Sequence, residues 1–243
     1  MRGAEQTMSS LFERMMALNT RGPFRAERVD ANSALKGGKH PVLPNPQPNA
    51  VLGTPLVGAN DPAWDGRALD EIVLGMGCFW GAERMFWDVD GVVGTSVGYA
   101  GGWTQNPTYR EVCTGRTGHA EVVRVVFDPE VVSVEEILKI DFENHNPTQG
   151  DRQGNDVGSQ YRSAVYTSSP EQQKRAEAAV AAWKQRFVDA GLGEVTTEVS
   201  ELVTTGNGHY YLAEDEHQQY LHKNPGGYCN HGPNGVSCPV GVI

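Results

Sequence analysis

Residues 119–145 read HAEVVRVVFDPEVVSVEEILKIDFENH. The first half is apolar and β-branched until Pro129, a pattern that predicts a strand ended by the proline. The second half opens on Ser133 with Glu136 three residues later. That pair forms a capping box at a helix start, and an amphipathic helix follows it to His145. A clear strand therefore runs directly into a clear helix.

The flanking segments extend the pattern. EIVLGM (71–76) is a short apolar run between Asp70 and Gly77 and predicts a buried strand. GAERMFWDV (81–89) places Met85 and Phe86 three and four residues after Ala82, as a helix would. GVVGTSVGYAGG (91–102) reads as a strand entering a glycine-rich loop. HNPTQGDRQGNDVGSQ (145–160) reads as a long polar loop, and YRSAVYTSS (161–169) as a strand. Pro170 at a first helical position and Gly191 past the end bracket a long helix. EVTTEVSEL (194–202) predicts one more strand. Strands and helices mix without strict alternation, and no internal repeat is present. This predicts an α+β two-layer sandwich with a mixed, ferredoxin-like sheet, not a doubly wound fold.

Residues 1–68 are rich in Pro, Gly and Asn. They read as an extension that wraps the surface or stays partly disordered, with a short amphipathic helix over 8–18. Residues 69–222 read as the α+β domain, catalytic if the cysteine reading below holds. Residues 223–243 read as a Gly/Pro-rich coiled tail. The chain has 243 residues and a net charge of -10 without a basic block, which argues against nucleic acid or anionic lipid as a partner. No apolar run approaches the roughly 20 residues that span a bilayer. The first residues lack the continuous apolar stretch of a secretory signal, so a cytoplasmic protein is expected.

Four cysteines occur, at Cys78, Cys113, Cys229 and Cys238. Cys78 lies where a strand ends and a helix begins. Free backbone N–H groups and the helix dipole there favour the thiolate. Gly75, Gly77 and Gly81 let other groups approach the backbone, and Phe79 and Trp80 supply an apolar wall. The competing reading is a small buried hydrophobe at a strand end, and position alone does not separate the two. Cys229 and Cys238 lie in a tail suited to disulfide exchange with an oxidised sulfur. A zinc site from Cys229, His231, Cys238 and a further His is the alternative. Its cysteine spacing is wider than a zinc knuckle, and no second pair exists. Glu121 alternates with Ala120 and Val122. Toward a pocket, burial would raise its pKa and make it a proton donor. Toward solvent it is an ordinary strand carboxylate, and residue type alone favours that reading. Tyr99 and Tyr161 stand at strand–loop junctions, as hydrogen-bond donors or edge aromatics. Asp156 is a turn residue by default.

At GCFWG (77–81) the chain resembles the A-type peptide methionine sulfoxide reductases. GYAGG, NPTYREVCTGRTGHAEVVRVVFDP, HNPTQGDRQGNDVGSQYRSAVY and AEDEHQQYLHKNPGGYC carry the resemblance onward in the family's order, over roughly residues 70–240. The resemblance implies reduction of methionine S-sulfoxide, free or in proteins. Cys78 would be the nucleophile and Glu121 the general acid toward the sulfoxide oxygen. Tyr99 and Tyr161 would donate hydrogen bonds to that oxygen, Phe79 and Trp80 would hold the S-methyl group, and Asp156 would line the pocket. Cys78 would become a sulfenic acid, resolved by Cys229 and then by Cys238, with thioredoxin or a similar dithiol protein as reductant. Neither cofactor nor metal is implied. Cys113 matches no catalytic position and is expected in or near a strand. A monomer fits a catalyst that must admit damaged proteins. The rival readings are a thiol peroxidase, a cysteine hydrolase with His119 or His145 as base, and a zinc-stabilised interaction domain.

Overall fold

The computed structural model describes residues 23–238. The helix expected over 8–18 lies outside them. Six strands form one mixed sheet: β1 (Asp70–Met76), β2 (Val92–Ala100), β3 (Ala120–Phe127), β6 (Ser163–Thr167), β7 (Glu198–Glu201) and β8 (Tyr211–Leu212), in the order β7-β6-β1-β3-β2-β8. Every neighbouring pair is antiparallel except β6 and β7, which run parallel. The helices are α1 (Phe79–Arg84), α2 (Tyr109–Cys113), α3 (Val134–Asn144), α4 (Pro170–Asp189) and α5 (Tyr220–Lys223). This is the expected α+β sandwich.

Alternation along the central strands divides the core. Ile72, Leu74 and Met76 of β1 join Val123, Val125 and Phe127 of β3 on the helix-covered face. There Phe142 of α3 stacks on Trp183 of α4, with ring centroids 5.5 Å apart. The opposite face carries Val73, Val122 and Tyr166. Trp64, in a 3-10 turn of the N-terminal segment, packs there with Val126. Both faces are covered, so β1 and β3 are apolar at almost every position.

The punctuation acts as read. Ser133 and Glu136 exchange both capping-box bonds. Ser169 caps α4 with Pro170 in its first turn, and Gly191 follows with φ +74°. Ser133→Ala is expected to lower stability by about 1 kcal/mol, read as a shifted urea midpoint at constant m.

Three local readings need correction. The helix read over 81–89 is α-helical only from Phe79 to Arg84. It then tightens into turns with Met85 N–H to Ala82 C=O and Phe86 N–H to Glu83 C=O. The polar loop contains a two-stranded hairpin, β4 (Arg152–Gln153) with β5 (Asp156–Val157), turned by Gly154 at φ +58°. Cys113 ends the helix α2 and is exposed, because Thr108 and Glu111 form a second capping box that starts a helix there.

The described part of the N-terminal segment is irregular but tied down. Arg28 pairs with Asp151 and Glu198. The buried Asn49 donates to the Thr95 backbone and hydroxyl, both at 2.9 Å. Among the described residues no helix is long and apolar enough to cross a membrane.

Candidate active site

β1 delivers the chain to Gly77, whose φ of +95° turns it toward α1. A Cβ on Gly77 would stand 2.4 Å from the Cβ of Gln153, so only glycine fits between strand and hairpin. Cys78 is then the N-cap of α1 and is 6% exposed. Tyr99 of β2 and Glu121 of β3 are direct cross-strand partners. The Phe79 N–H, the first of α1, donates to Glu121 Oε2 at 3.1 Å. Helix start and strand pair therefore bring Cys78, Glu121 and Tyr99 together.

Glu121 faces inward and is 1% exposed, so the solvent-facing reading is excluded. Burial pushes its carboxyl up to about 8. The Phe79 N–H opposes that shift, and the charge of Asp156 adds to it. At neutral pH Glu121 is a protonated acid.

The expectation that the helix start favours a Cys78 thiolate is overruled. Burial, then the Glu121 charge, push the thiol up; the Trp80 and Gly81 N–H groups oppose them without closing a capping hydrogen bond. With Glu121 protonated its repulsion is switched off, and burial, then the Asp156 charge, remain as the causes. The resting sulfur is a thiol.

The Tyr99 hydroxyl donates to Glu214 Oε2 at 2.8 Å. Tyr161 closes a 3-10 turn (Ser159–Tyr161) beside β3, and among the described residues no hydrogen-bond partner holds its hydroxyl. Burial raises both phenols, so both stay protonated. Phe79 and Trp80 differ. Phe79 is 1% exposed, packed with Val97, Tyr99, Val112 and Ala213. Trp80 is half-buried, stacks on Tyr220 at 3.9 Å and donates from Nε1 to His217 Nδ1 at 3.1 Å. Asp156 does more than turn the chain. It accepts from Asn230 Nδ2 at 2.9 Å and from the Tyr228 hydroxyl at 3.2 Å.

Among the described residues, the Gly/Pro-rich tail is held against the domain. His231 Nε2 reaches the Met76 carbonyl at 2.7 Å, and Asn234 Nδ2 donates to the Phe142 carbonyl at 2.7 Å. The Cys229 sulfur sits over Gly81, 3.0 Å from where a Cβ would stand. Cys238 is fully buried beside Val236 in the helix-face core. The gaps at Gly77 and Gly81 are thus filled by the chain's own Gln153, His231 and Cys229. Among the described residues no three His, Cys, Asp or Glu side chains gather to hold a metal ion.

A family model of peptide methionine sulfoxide reductases matches residues 70–236. It begins where β1 begins. The chain belongs to this family. Its relatives include peptide methionine sulfoxide reductase MsrA of Salinispora tropica, 58% identical over 90% of this chain and 95% of the relative. MsrA of Corynebacterium diphtheriae is 55% identical over 89% of this chain and 97% of the relative. The solved structure of methionine sulfoxide reductase A of Corynebacterium diphtheriae matches with a TM-score of 0.78, covering 88% of this chain and 98% of that one. Reduced Mxr1 of Saccharomyces cerevisiae matches at 0.61 and 33% identity, covering 72% and 96%. Membership of the methionine sulfoxide reductase A family makes the protein an oxidoreductase.

The rival hydrolase bases are committed elsewhere. His119 accepts from Gly102 N–H and bonds the Thr104 carbonyl. His145 bonds the Asp141 carbonyl and the Ser163 hydroxyl. Sequence reasoning missed Glu214, Tyr109 and His217. Glu214 accepts from the Tyr99 hydroxyl and from Tyr109 N–H, and the Tyr109 and His217 rings lie 4.5 Å apart. Gln218 places this segment by pairing with both backbone groups of Val97, as a neighbouring strand would. Its only sequence signal was the string AEDEHQQY.

Proposed function

We propose that the protein reduces methionine S-sulfoxide, free or within proteins, to methionine, and so repairs oxidative damage. The observation that carries this reading is a buried Glu121, its carboxyl pushed up to about 8 by burial, bound to the first N–H of the helix that Cys78 caps.

The sulfoxide sulfur is the electrophile and its oxygen takes up charge as attack proceeds. Glu121 gives that oxygen a proton, and Tyr161, with its hydroxyl uncommitted, donates a hydrogen bond to it. Tyr99 serves the same oxygen by turning its single hydroxyl proton away from Glu214, to which it donates here. The Cys78 sulfur attacks the sulfoxide sulfur, its thiol proton and the Glu121 proton both go to the oxygen, and the S–O bond breaks to release water. Water then displaces methionine from the Cys78 sulfur, which breaks the S–S bond, leaves Cys78 as a sulfenic acid and returns a proton to Glu121. Phe79 backs the methyl pocket and Trp80 walls it. Cys229 then condenses with the sulfenic acid, releasing water and forming a disulfide with Cys78. Cys238 attacks Cys229, which frees Cys78 and leaves the Cys229–Cys238 disulfide for thioredoxin or a similar dithiol. Because Cys238 is buried in the reduced enzyme, that second exchange requires the tail to undock.

The test is a single turnover without reductant on a racemic blocked methionine sulfoxide. The expected result is loss of the S epimer alone, with about one to two sulfides formed per chain and thiols lost from Cys78, Cys229 and Cys238. No sulfide, with Cys78 still reduced, would end the reading. Cys238→Ser is expected to stop at the Cys78–Cys229 disulfide and to lose thioredoxin-supported turnover. Full turnover in that variant would refute the second exchange.

A further inference from the structure

The docked tail brings one more titratable group to the reaction centre. The Nε2 of His231 bonds the Met76 carbonyl at 2.7 Å. A carbonyl oxygen only accepts, so Nε2 carries the ring proton. Burial pushes the imidazole down to about 4, which keeps the ring neutral. The other nitrogen, Nδ1, is then a bare lone pair. It is buried, and no hydrogen-bond partner meets it among the described residues. Leaving a buried acceptor empty is unfavourable.

Its position gives the lone pair a use. A Cβ built on Gly81 would lie 2.2 Å from His231 Nδ1 and 3.0 Å from Cys229 Sγ. Base and thiol converge on one point, above the first turn of the helix that Cys78 caps. The Cys229 S–H is barely engaged there, with the His231 carbonyl as its acceptor at 3.9 Å. The titratable side chain facing His231 from α3's end is His145, itself held neutral by burial, with Asp141, whose carboxyl burial pushes up, behind it. Cys78 caps the helix whose Gly81 both groups approach.

We propose that His231 Nδ1 is the proton acceptor for Cys229 when that thiol attacks the Cys78 sulfenic acid. This rests on the reading above. The Cys229 proton moves to Nδ1, and the sulfur's electron pair forms the S–S bond to Cys78. The Cys78 S–O bond breaks, and its oxygen leaves as hydroxide. The imidazolium returns the proton to it, giving water and a neutral ring. No outside reactant enters, since the sulfenic acid is the product of the sulfoxide step. An unassisted thiol with an ordinary pKa of about 8.5 offers only a few per cent thiolate at pH 7. The thiolate formed beside the imidazolium offsets the penalty of charging a buried ring.

The test uses the full-length protein and His231→Gln, whose amide can still donate to the Met76 carbonyl but is not a base. Sulfide release and Cys78–Cys229 disulfide formation are timed in the same quenched reaction. At pH 7 the variant's disulfide step is expected to slow about 100-fold relative to its sulfide step, with sulfenic acid accumulating. The ratio is expected to recover toward pH 9, where hydroxide takes the proton that the imidazole no longer accepts. An unchanged ratio would overturn the proposal. So would a slowed step that does not recover at pH 9, which marks a misdocked tail. Generating the sulfenic acid with hydrogen peroxide reads the disulfide step even if no sulfide is ever formed. That separates failure of this proposal from failure of the sulfoxide reading.

Discussion

Glu121→Gln is expected to slow sulfide formation roughly 1000-fold, within the range assigned to a positioned general acid. Glutamine keeps the volume and still accepts from the Phe79 N–H, so α1 and Cys78 stay in place. What disappears is the proton for the developing oxyanion. The pH profile carries the same signature. Burial holds the Glu121 carboxyl at about 8, so the acid is present below that value and lost above it. Single-turnover rates in the wild type are expected to be flat near neutrality and to fall as pH rises through 8. In the variant that limb is expected to vanish. A profile that falls at the same pH in Glu121→Gln would assign the limb to another group.

The same carboxyl makes a stability prediction of opposite sign. Its folded-state pKa lies above the unfolded value of about 4.5, so the folded protein binds the extra proton between 4.5 and 8. Stability therefore falls as pH rises through that window. The burial of Glu121 costs about 3–5 kcal/mol at pH 9 relative to pH 4. Glu121→Gln removes the cost, so the variant is expected to melt higher than wild type at pH 9 while being catalytically crippled. A site that opposes folding is what a catalytic acid held ready in an apolar setting requires.

Much of the fold was legible because its signals are local. The Ser133 capping box, Pro170 and Gly191 act within a few residues of themselves, and the structure honours each. Glu121 shows where locality fails. It shares a strand face with Val123, Val125 and Phe127, but the other face carries Ala120, Val122 and Val126. Both faces of β3 are apolar, so alternation cannot say which side a carboxylate chooses or whether either is wet. Cys78 fails in the same way. Its place at a helix start follows from the glycines around it. Its helix is met by a tail about 150 residues later that docks over Gly81. Glu214 and His217 were invisible because a single buried amide, Gln218, decides where their segment lies. Cys113 was misplaced because REVC carries no β or helix signal of its own, and the cap that starts its helix is Thr108.

Arg162→Leu is expected to cost about 3–5 kcal/mol, because it leaves buried polar groups without their partner. The Arg162 guanidinium is 3% exposed and spends its donors on Glu198 at 2.7 Å, the Ser159 carbonyl at 2.9 Å, the Gly118 carbonyl at 3.1 Å and the Tyr166 hydroxyl at 2.9 Å. Those contacts clamp the end of β2 and β3, the turn carrying Tyr161, and the parallel pair β6–β7. Burial pushes Glu198 up, but the Arg162 charge and hydrogen bonds win and hold it down to about 2. The stabilisation from Glu198 is therefore present above its unfolded pKa and is lost as pH falls toward 2. Leucine fills the volume and satisfies none of this. The melting temperature is expected to drop by roughly 10 °C, and acid unfolding to begin at higher pH. Arg162→Lys is expected to rescue little, because one ammonium cannot present the planar fork to a carboxylate and two carbonyls at once. A loss under 1 kcal/mol for Arg162→Leu would show that the strand ends hold their register without the clamp. The positions of Tyr99, Glu121 and Tyr161 would then be set by β2–β3 pairing alone, and sulfide release per folded molecule would stay at the wild-type rate.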